Sequence, residues 1–241
     1  MIRKIAFEIL GTFVLVFLTG VTEERGRTKK TNFSRGTGEN FLNGPLVGFA
    51  VYVALFYIGR KISGCHLNPA VSFAMVFIKK ITLVEGIVFG ICQLVAGFFA
   101  ALLVMPFMSD MEEDLMPISA ISIGYFQALL LEIQMAAIFI FIFINSEVSK
   151  NVADHLKGFL IGSGYLITTC ATFRFTMGGI NPAKSLPLNF IRGYFDSTHV
   201  YLFAPFIGAI FSVVTSNAFF YLVCRTLAFI IKYIWKLDNQ Y

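Results

Sequence analysis

Asn68-Pro69-Ala70 and Asn181-Pro182-Ala183 are the same triplet, which occurs twice in the chain at an offset of 113 positions. Asparagine is a favoured helix N-cap because its side-chain oxygen accepts a hydrogen bond from a free backbone N–H. Proline is favoured at the first helical position, where its missing N–H costs nothing. Each triplet therefore predicts a helix start. The segments that follow, 68–79 and 181–191, are too short to cross a bilayer, so we expect two half-helices.

The composition around the triplets is that of an integral multi-pass membrane protein. The mean hydropathy is +0.76, and 14% of the residues are charged, against about 25% in soluble domains. A membrane-spanning helix needs about 20 apolar residues, and six stretches meet this length approximately. They lie near 4–22, 42–60, 83–108, 119–144, 156–173 and 200–232. The predicted fold class is an all-α membrane protein with six transmembrane helices and two half-helices.

The order of these elements divides a single domain, 1–241, into two repeats at about 1–110 and 119–241. Each repeat contains two spans, a triplet segment and a third span. Because three is an odd number, the second repeat enters the membrane from the opposite side. This predicts an inverted repeat whose functional path lies at the repeat interface. Glu8 in the first span and Glu132 in the fourth are a further match between the repeats.

The charged and sulfur-containing residues exclude several other classes of protein. The net charge of +5 does not indicate nucleic-acid binding, because the basic residues form no dense run with interleaved aromatics. Their distribution mildly favours termini on the inner side. The four cysteines are isolated and fit neither a metal site nor a disulfide framework, so no cofactor is predicted. The sequence has no phosphate-binding glycine loop and no pair of catalytic carboxylates, so an enzyme is not predicted. Asn32 begins an Asn-X-Ser sequon, a glycosylation acceptor on a lumenal side.

Two helix starts that meet at the middle of a bilayer would form a selective barrier. Capping turns each amide oxygen toward its own helix, so the NH2 groups of Asn68 and Asn181 are left to donate to a passing molecule. Each helix start also carries roughly half a positive charge. Two such ends repel cations, including hydronium, while a neutral molecule passes.

The sequence resembles the aquaporin, or major intrinsic protein, family over nearly its whole length. Segments 63–72 and 179–185 are similar to the two motifs of that family. Four other features also fall where the family places such residues: Glu8, Gln93, Glu132 and the segment 205–208. The resemblance implies passive flow through a pore and usually a homotetramer with one pore per subunit. It also implies that the two triplets form the central constriction, that His66 lines the pore, and that Glu8, Glu132 and Gln93 support it.

The outer constriction departs from the family pattern. Carried over by offset from the two asparagines, its four positions are Gly48, Thr169, Gly178 and Lys184. The family normally has arginine at the position of Lys184, and lysine lacks the planar fork of arginine. Two glycines and a threonine predict a wide, weakly polar filter that does not exclude urea, glycerol, ammonia or peroxide by size. A neighbouring ring, such as that of Phe49 or Phe173, would refill the space.

Two residues of the second half-helix also depart from the family pattern. Ser185 stands where glycerol-conducting members usually carry aspartate. Pro187 falls in the second turn of the second half-helix, where proline is expected to kink it.

Two functions therefore remain open. The first is a channel for water or small neutral solutes, with membrane lipid as its surroundings. The alternative is a non-conducting structural subunit of a larger membrane complex, which a pore blocked by phenylalanine side chains would favour. The sequence does not distinguish among the plasma membrane, an intracellular membrane and a mitochondrial membrane.

Overall fold

The computed structural model describes residues 1–27, 42–107, 123–193 and 195–238, and within these ranges it contains helices and no strand. The helices are α1 (Ile2–Arg27), α2 (Asn43–Gly59), α3 (Pro69–Phe77), α4 (Leu83–Val104), α5 (Tyr125–Val148), α6 (Asp154–Thr176), α7 (Pro182–Arg192) and α8 (Thr198–Asp238). A short 3-10 turn, Met105–Phe107, follows α4. The sequon at Asn32 lies outside the described ranges.

The predicted arrangement of six long helices and two half-helices is confirmed. Within the described ranges, four segments are long and apolar enough to cross a membrane: Ile2–Glu23, Leu83–Phe107, Tyr125–Val148 and Thr198–Asn217. Helix α2 is apolar and has 17 residues, which is at the short end of the spanning range. Helix α6 has 23 residues but is less apolar, because it carries buried polar side chains such as Thr168 and Thr172. Helix α1 continues past the predicted end at position 22 to Arg27.

Both triplets begin helices, as their chemistry predicts. Asn68 has extended backbone angles, and its Oδ1 accepts a hydrogen bond of 2.8 Å from the backbone N–H of Ala70. Asn181 repeats this geometry, with a bond of 3.0 Å from the N–H of Ala183. Helix α3 has nine residues and α7 has eleven, so neither can cross a bilayer. Helix α7 is continuous through Pro187.

The packing of the helices repeats between the two halves. In the first half α1 contacts α2 and α4, and α3 contacts α4; in the second half α5 contacts α6 and α8, and α7 contacts α8. The halves join where α2 contacts α6, where α3 contacts α8, and where α4 contacts α7. Each half-helix thus packs against the last long helix of the other half, and the two half-helices contact each other.

The approach of α4 to α7 depends on a glycine. A Cβ atom at Gly97 would collide with the backbone carbonyl oxygen of Ala183, the last residue of the second triplet. That carbonyl lacks its usual helical donor, because Pro187, four residues on, has no N–H. The backbone of α4 therefore packs directly on the carbonyl that the proline leaves free, and this contact helps to fix the position of α7.

Gly97→Ala is expected to lower the free energy of unfolding by about 1–3 kcal/mol, the usual range for overpacking, because backbone atoms cannot move aside. Gly90→Ala in the same helix is the matched control, since its new Cβ would lie 4.0 Å from the nearest atom, Cβ of Pro69. Thermal unfolding of the purified protein in detergent micelles measures both variants. Equal midpoints for the two alanine variants would contradict this account of the helix contact.

Candidate functional site

The two triplet asparagines are linked across the interface between the repeats. Nδ2 of Asn68 donates to the carbonyl of Ile180 at 3.2 Å, and Nδ2 of Asn181 donates to the carbonyl of Leu67 at 2.8 Å. Each amide thus bonds the carbonyl that immediately precedes the other asparagine. An amide nitrogen carries two N–H bonds, and these contacts use one of them. The sequence predicted that the NH2 groups of both asparagines are free to donate. In the structure one N–H of each amide instead holds the two helix starts together.

Glu8 holds the loop before the first triplet. Its carboxylate accepts four hydrogen bonds, from Ser63 Oγ (2.5 Å), His66 N (3.0 Å), Leu67 N (2.9 Å) and Gln93 Nε2 (2.8 Å). Both carboxylate oxygens are used, two bonds each. The group is fully buried in α1, so the four donors replace the water that a carboxylate would otherwise need.

The loop that Glu8 holds has a strained backbone. Cys65 and Leu67 have φ values of +54° and +53°, and a residue other than glycine held there costs about 1–3 kcal/mol. Between them His66 is 3% exposed, and its Nδ1 lies 3.1 Å from Ser72 Oγ. The hydrogen bonds that the backbone N–H groups of His66 and Leu67 donate to Glu8 therefore stabilise a backbone conformation that the local sequence alone disfavours.

Glu132 is the counterpart of Glu8 in the second repeat, but it is less completely bonded. Its Oε1 accepts from Thr176 Oγ1 and, at 3.0 Å, from the backbone N–H of Gly179. Its Oε2 is buried and has no hydrogen-bond partner among the described residues. The two glutamates hold equivalent loops with unequal sets of donors.

The four positions expected at the outer constriction, here called the outer quartet (Gly48, Thr169, Gly178 and Lys184), are all buried. Gly178 has a φ of +67°, and a Cβ there would lie 3.2 Å from Cβ of Thr169. The ammonium of Lys184 donates to the carbonyl of Met177, next to Gly178, at 3.3 Å. The structure thus places three of the four positions beside one another. The fourth, Gly48, lies against a side chain from outside the quartet.

That side chain is Tyr165, one turn before Thr169 on α6. A Cβ at Gly48 would collide with the Tyr165 ring, so the ring occupies the space that the glycine leaves. The hydroxyl of Thr169 donates to the carbonyl of Tyr165 at 2.6 Å and is committed to its own helix. Phe49, which the sequence analysis considered for this space, packs edge-on against Phe159 with ring centroids 5.6 Å apart.

Glu23 is the second residue that the sequence analysis missed. Its Oε1 lies 2.7 Å from the ammonium of Lys184, and their side chains are only 7% and 3% exposed. A Cβ at Gly44 would approach Glu23 Oε1 to 2.6 Å, so a glycine in α2 makes room for the carboxylate. The lysine is therefore half of a buried ion pair, and the outer quartet carries no net charge once Glu23 is included.

Helical spacing could have identified Glu23. Glu8, Thr12, Thr19 and Glu23 are buried polar residues of α1, separated by intervals of four, seven and four. Such intervals place side chains on one face of an α-helix. The polar face of α1 thus extends from Glu8, which bonds the loop before the first triplet, to Glu23, which pairs with Lys184 of the outer quartet.

Three aromatic rings connect the outer quartet to the loop that precedes the first triplet. The Tyr165 ring lies 5.1 Å from Tyr52 and 5.9 Å from Phe139, centroid to centroid. Tyr52 Oη donates to the carbonyl of His66 at 3.4 Å, close to the first triplet. All three rings are at most 1% exposed. We call Tyr52, Phe139 and Tyr165 the aromatic cluster.

Charged groups at the other end of α2 pair with one another. Arg60 Nε lies 2.8 Å from Glu147, and a terminal guanidinium nitrogen lies 2.6 Å from Asp154. Lys157 donates to the carbonyl of Glu147 at 3.2 Å. These contacts join α2, α5 and α6. In the described part of the chain no group of three or more His, Cys, Asp or Glu residues is placed to hold a metal ion.

Comparison with protein families gives a match over most of the chain. Residues 1–215 match the family model described as Major intrinsic protein. A protein named Glycerol uptake facilitator protein-like 6, from Lactiplantibacillus plantarum, is 28% identical over 213 residues, which cover 86% of this chain and 94% of that protein. Aquaporin TIP1-2 from Musa acuminata is 28% identical over 220 residues, covering 88% and 84%.

A solved structure has the same fold. The X-ray structure of the aquaglyceroporin from Plasmodium falciparum aligns with a TM-score of 0.74, at 22% sequence identity, over 95% of this chain and 99% of that one. At this level of identity the alignment establishes the arrangement of helices and half-helices, which agrees with the fold class predicted from the sequence.

Proposed function

The chain belongs to the major intrinsic protein family, and on this premise we propose that it is a passive channel for water or small neutral solutes such as glycerol, urea, ammonia or peroxide. The family is a channel family, and its relatives here are named as aquaporins and a glycerol uptake facilitator. The observation that carries the proposal is the reciprocal bonding of the two triplets, which brings two helix starts together. Passive flow along this path needs no cofactor and no catalytic residue.

The central barrier is formed by the two triplets, Asn68-Pro69-Ala70 and Asn181-Pro182-Ala183. Each capping bond fixes the orientation of an amide, and each amide keeps one N–H for the oxygen of a passing molecule. The positive ends of α3 and α7 both point at this place, which disfavours cations and hydronium. A neutral molecule that accepts hydrogen bonds therefore crosses, and a proton does not.

The remaining site residues position or narrow the path. The outer quartet (Gly48, Thr169, Gly178 and Lys184) forms the outer constriction. His66 lines the inner part of the pore, while Glu8, Gln93 and Glu132 support the loops that precede the triplets. The channel domain is the whole chain, 1–241, in repeats of about 1–110 and 119–241, and four copies assemble with one pore in each. Its membrane is the plasma membrane or an intracellular one, including the mitochondrial membrane.

A second function, a non-conducting subunit of a larger membrane complex, is favoured by one observation. The aromatic cluster contacts Gly48 of the outer quartet at one end and the loop before the first triplet at the other, and its rings are at most 1% exposed. If these rings close the path in the membrane, the fold serves as a scaffold, and the triplets only hold the repeats together.

Osmotic measurements on proteoliposomes separate the two functions. Stopped-flow light scattering would follow the vesicle volume after jumps in an impermeant osmolyte, glycerol or urea. A channel gives water or solute permeability well above that of empty liposomes. Permeability equal to that of empty liposomes, with the protein folded and monodisperse, would favour the structural subunit.

Lys184→Arg tests the outer constriction. Arginine keeps the charge and can bond Glu23 with a planar fork, but its head group is larger and more rigid. Because the constriction becomes narrower, we expect the permeability ratios of urea and glycerol to water to fall by about tenfold, the effect of about one methylene group in a fitted site. Lys4→Arg, at a side chain 42% exposed, is the control. Unchanged ratios in Lys184→Arg would place the selective position elsewhere.

A further inference from the structure

We propose that Tyr165, which lies outside the outer quartet, determines the size limit of the pore and supplies a hydrogen bond to the solute that passes it. The inference rests on the proposed channel function and deepens it. The solute it favours is a small uncharged molecule with a hydroxyl or carbonyl oxygen. The inference rests on the position of the ring, on its contact with Gly48 and on a hydroxyl that has no hydrogen-bond partner among the described residues.

The ring lies between the two barriers of the proposed pore. On the outer side it touches Gly48, a member of the outer quartet, and it is one helical turn from Thr169. On the inner side it packs on Tyr52, whose hydroxyl donates to the carbonyl of His66 beside the first triplet. On the proposed path, a molecule that moves from the outer quartet to the central triplets therefore passes beside Tyr165.

The ring also restores the bulk that the outer quartet lacks. Gly48 has no side chain, and the Tyr165 ring lies so close to its Cα that no Cβ would fit there. The sequence predicts a wide filter at Gly48, and the Tyr165 ring occupies space at that position. The size limit of the path is consequently a property of Tyr165, and the small residues at positions 48 and 178 do not determine it alone.

The hydroxyl of Tyr165 is the polar group available to a solute at this point. It is buried and has no hydrogen-bond partner among the described residues, whereas the hydroxyls of Thr169 and Tyr52 donate to backbone carbonyls. A buried hydroxyl without a partner is costly, so an oxygen or nitrogen atom of the pore contents is its natural partner.

The charges near this hydroxyl indicate which solutes it would accept. Tyr165 and Glu23 lie against glycines one turn apart on α2, Gly48 and Gly44, and Glu23 forms an ion pair of 2.7 Å with Lys184. The pair cancels the field that an isolated lysine would impose on the path. A neutral solute therefore passes without a charge penalty, and hydrogen bonding and size decide between one neutral solute and another.

Two substitutions at Tyr165 separate size from hydrogen bonding. Tyr165→Ala removes the ring and is expected to raise the permeability of glycerol and of a four-carbon polyol by about tenfold or more, as expected when bulk is removed from a fitted site. Tyr165→Phe keeps the ring and is expected to lower glycerol and urea permeability by about two- to tenfold through loss of one hydrogen bond. Tyr57→Ala and Tyr57→Phe, at a side chain 77% exposed on α2, are the matched controls.

Stopped-flow measurements on wild type and all four variants distinguish this inference from the proposed function. If wild type conducts and both Tyr165 variants match it, the inference is wrong and the channel function stands. If wild type is silent and Tyr165→Ala conducts, Tyr165 is the side chain that closes the pore, and the proposed function of the wild type is wrong. If wild type and both folded Tyr165 variants are silent, both are wrong. Tyr165→Leu, which keeps more of the buried volume, replaces the alanine variant if that variant does not fold.

Discussion

Glu23→Ala lowers the free energy of unfolding by about 3–5 kcal/mol, because it leaves the ammonium of Lys184 buried without its counter-charge. The two side chains lie 2.7 Å apart and are 7% and 3% exposed, so water cannot replace the carboxylate without a rearrangement. The carbonyl of Met177, 3.3 Å from the ammonium, is the other acceptor and cannot neutralise the charge. Chemical or thermal unfolding of the protein in detergent micelles measures the loss.

Two further variants test whether the loss comes from the unpaired charge. Replacing both partners, Glu23→Leu with Lys184→Met, is expected to recover most of the stability, since buried ion pairs can be exchanged for apolar residues of similar volume at little cost. Lys4→Ala breaks a pair of similar length, 2.8 Å, but its lysine side chain is 42% exposed, and we expect a change of about 1 kcal/mol or less. If Glu23→Ala were as harmless as Lys4→Ala, the pair would not be a structural element of the outer quartet.

Glu8→Gln is expected to be much more destabilising than Glu132→Gln, although the two residues occupy equivalent places in the repeats. All four groups that bond Glu8 act as donors toward its two oxygens. A glutamine there must turn an NH2 group toward two of them, and each donor left without an acceptor costs about 1–3 kcal/mol. Glu132 presents an oxygen with no described partner, where an NH2 group displaces no bond.

The difference between Glu8→Gln and Glu132→Gln can also be measured as local opening of the loops that the two glutamates bond. Glu8 holds Leu67 in a left-handed conformation just before the first triplet, so Glu8→Gln should also release that loop. Hydrogen exchange measured by mass spectrometry on peptides covering 63–68 is expected to quicken in Glu8→Gln. The corresponding peptides covering 176–181 are expected to change less in Glu132→Gln. Equal effects of the two substitutions on both unfolding and exchange would contradict the asymmetry.

Local chemistry explains why the helix starts could be predicted from the sequence. An asparagine cap followed by proline acts through bonds within three residues, and both caps form as expected. Long apolar runs likewise predict spanning helices whatever their neighbours are. The sequence predicts that the first span ends near position 22, whereas α1 continues to Arg27 and contains the buried Glu23. Its burial depends on Lys184, which is 161 positions away.

The sequence predicts the positions of the outer quartet but not its surroundings. Offsets from the triplets located Gly48 and Lys184, but the nature of the site depends on residues that reach them from other helices. The Tyr165 ring covers Gly48, and Glu23 pairs with Lys184. Both are contacts between helices that are distant in sequence, so residue types and spacing alone predicted a wider and more positive site than the structure contains.

The central proposal is that neutral molecules cross between the two triplets while protons do not. Its most direct test measures both fluxes in the same wild-type proteoliposomes, with light scattering for volume and an enclosed pH-sensitive dye for protons. We expect osmotic permeability to water, glycerol or urea well above that of empty liposomes, together with a proton flux equal to theirs. Permeability equal to that of empty liposomes, or a proton flux that rises with the amount of protein, would contradict the proposal.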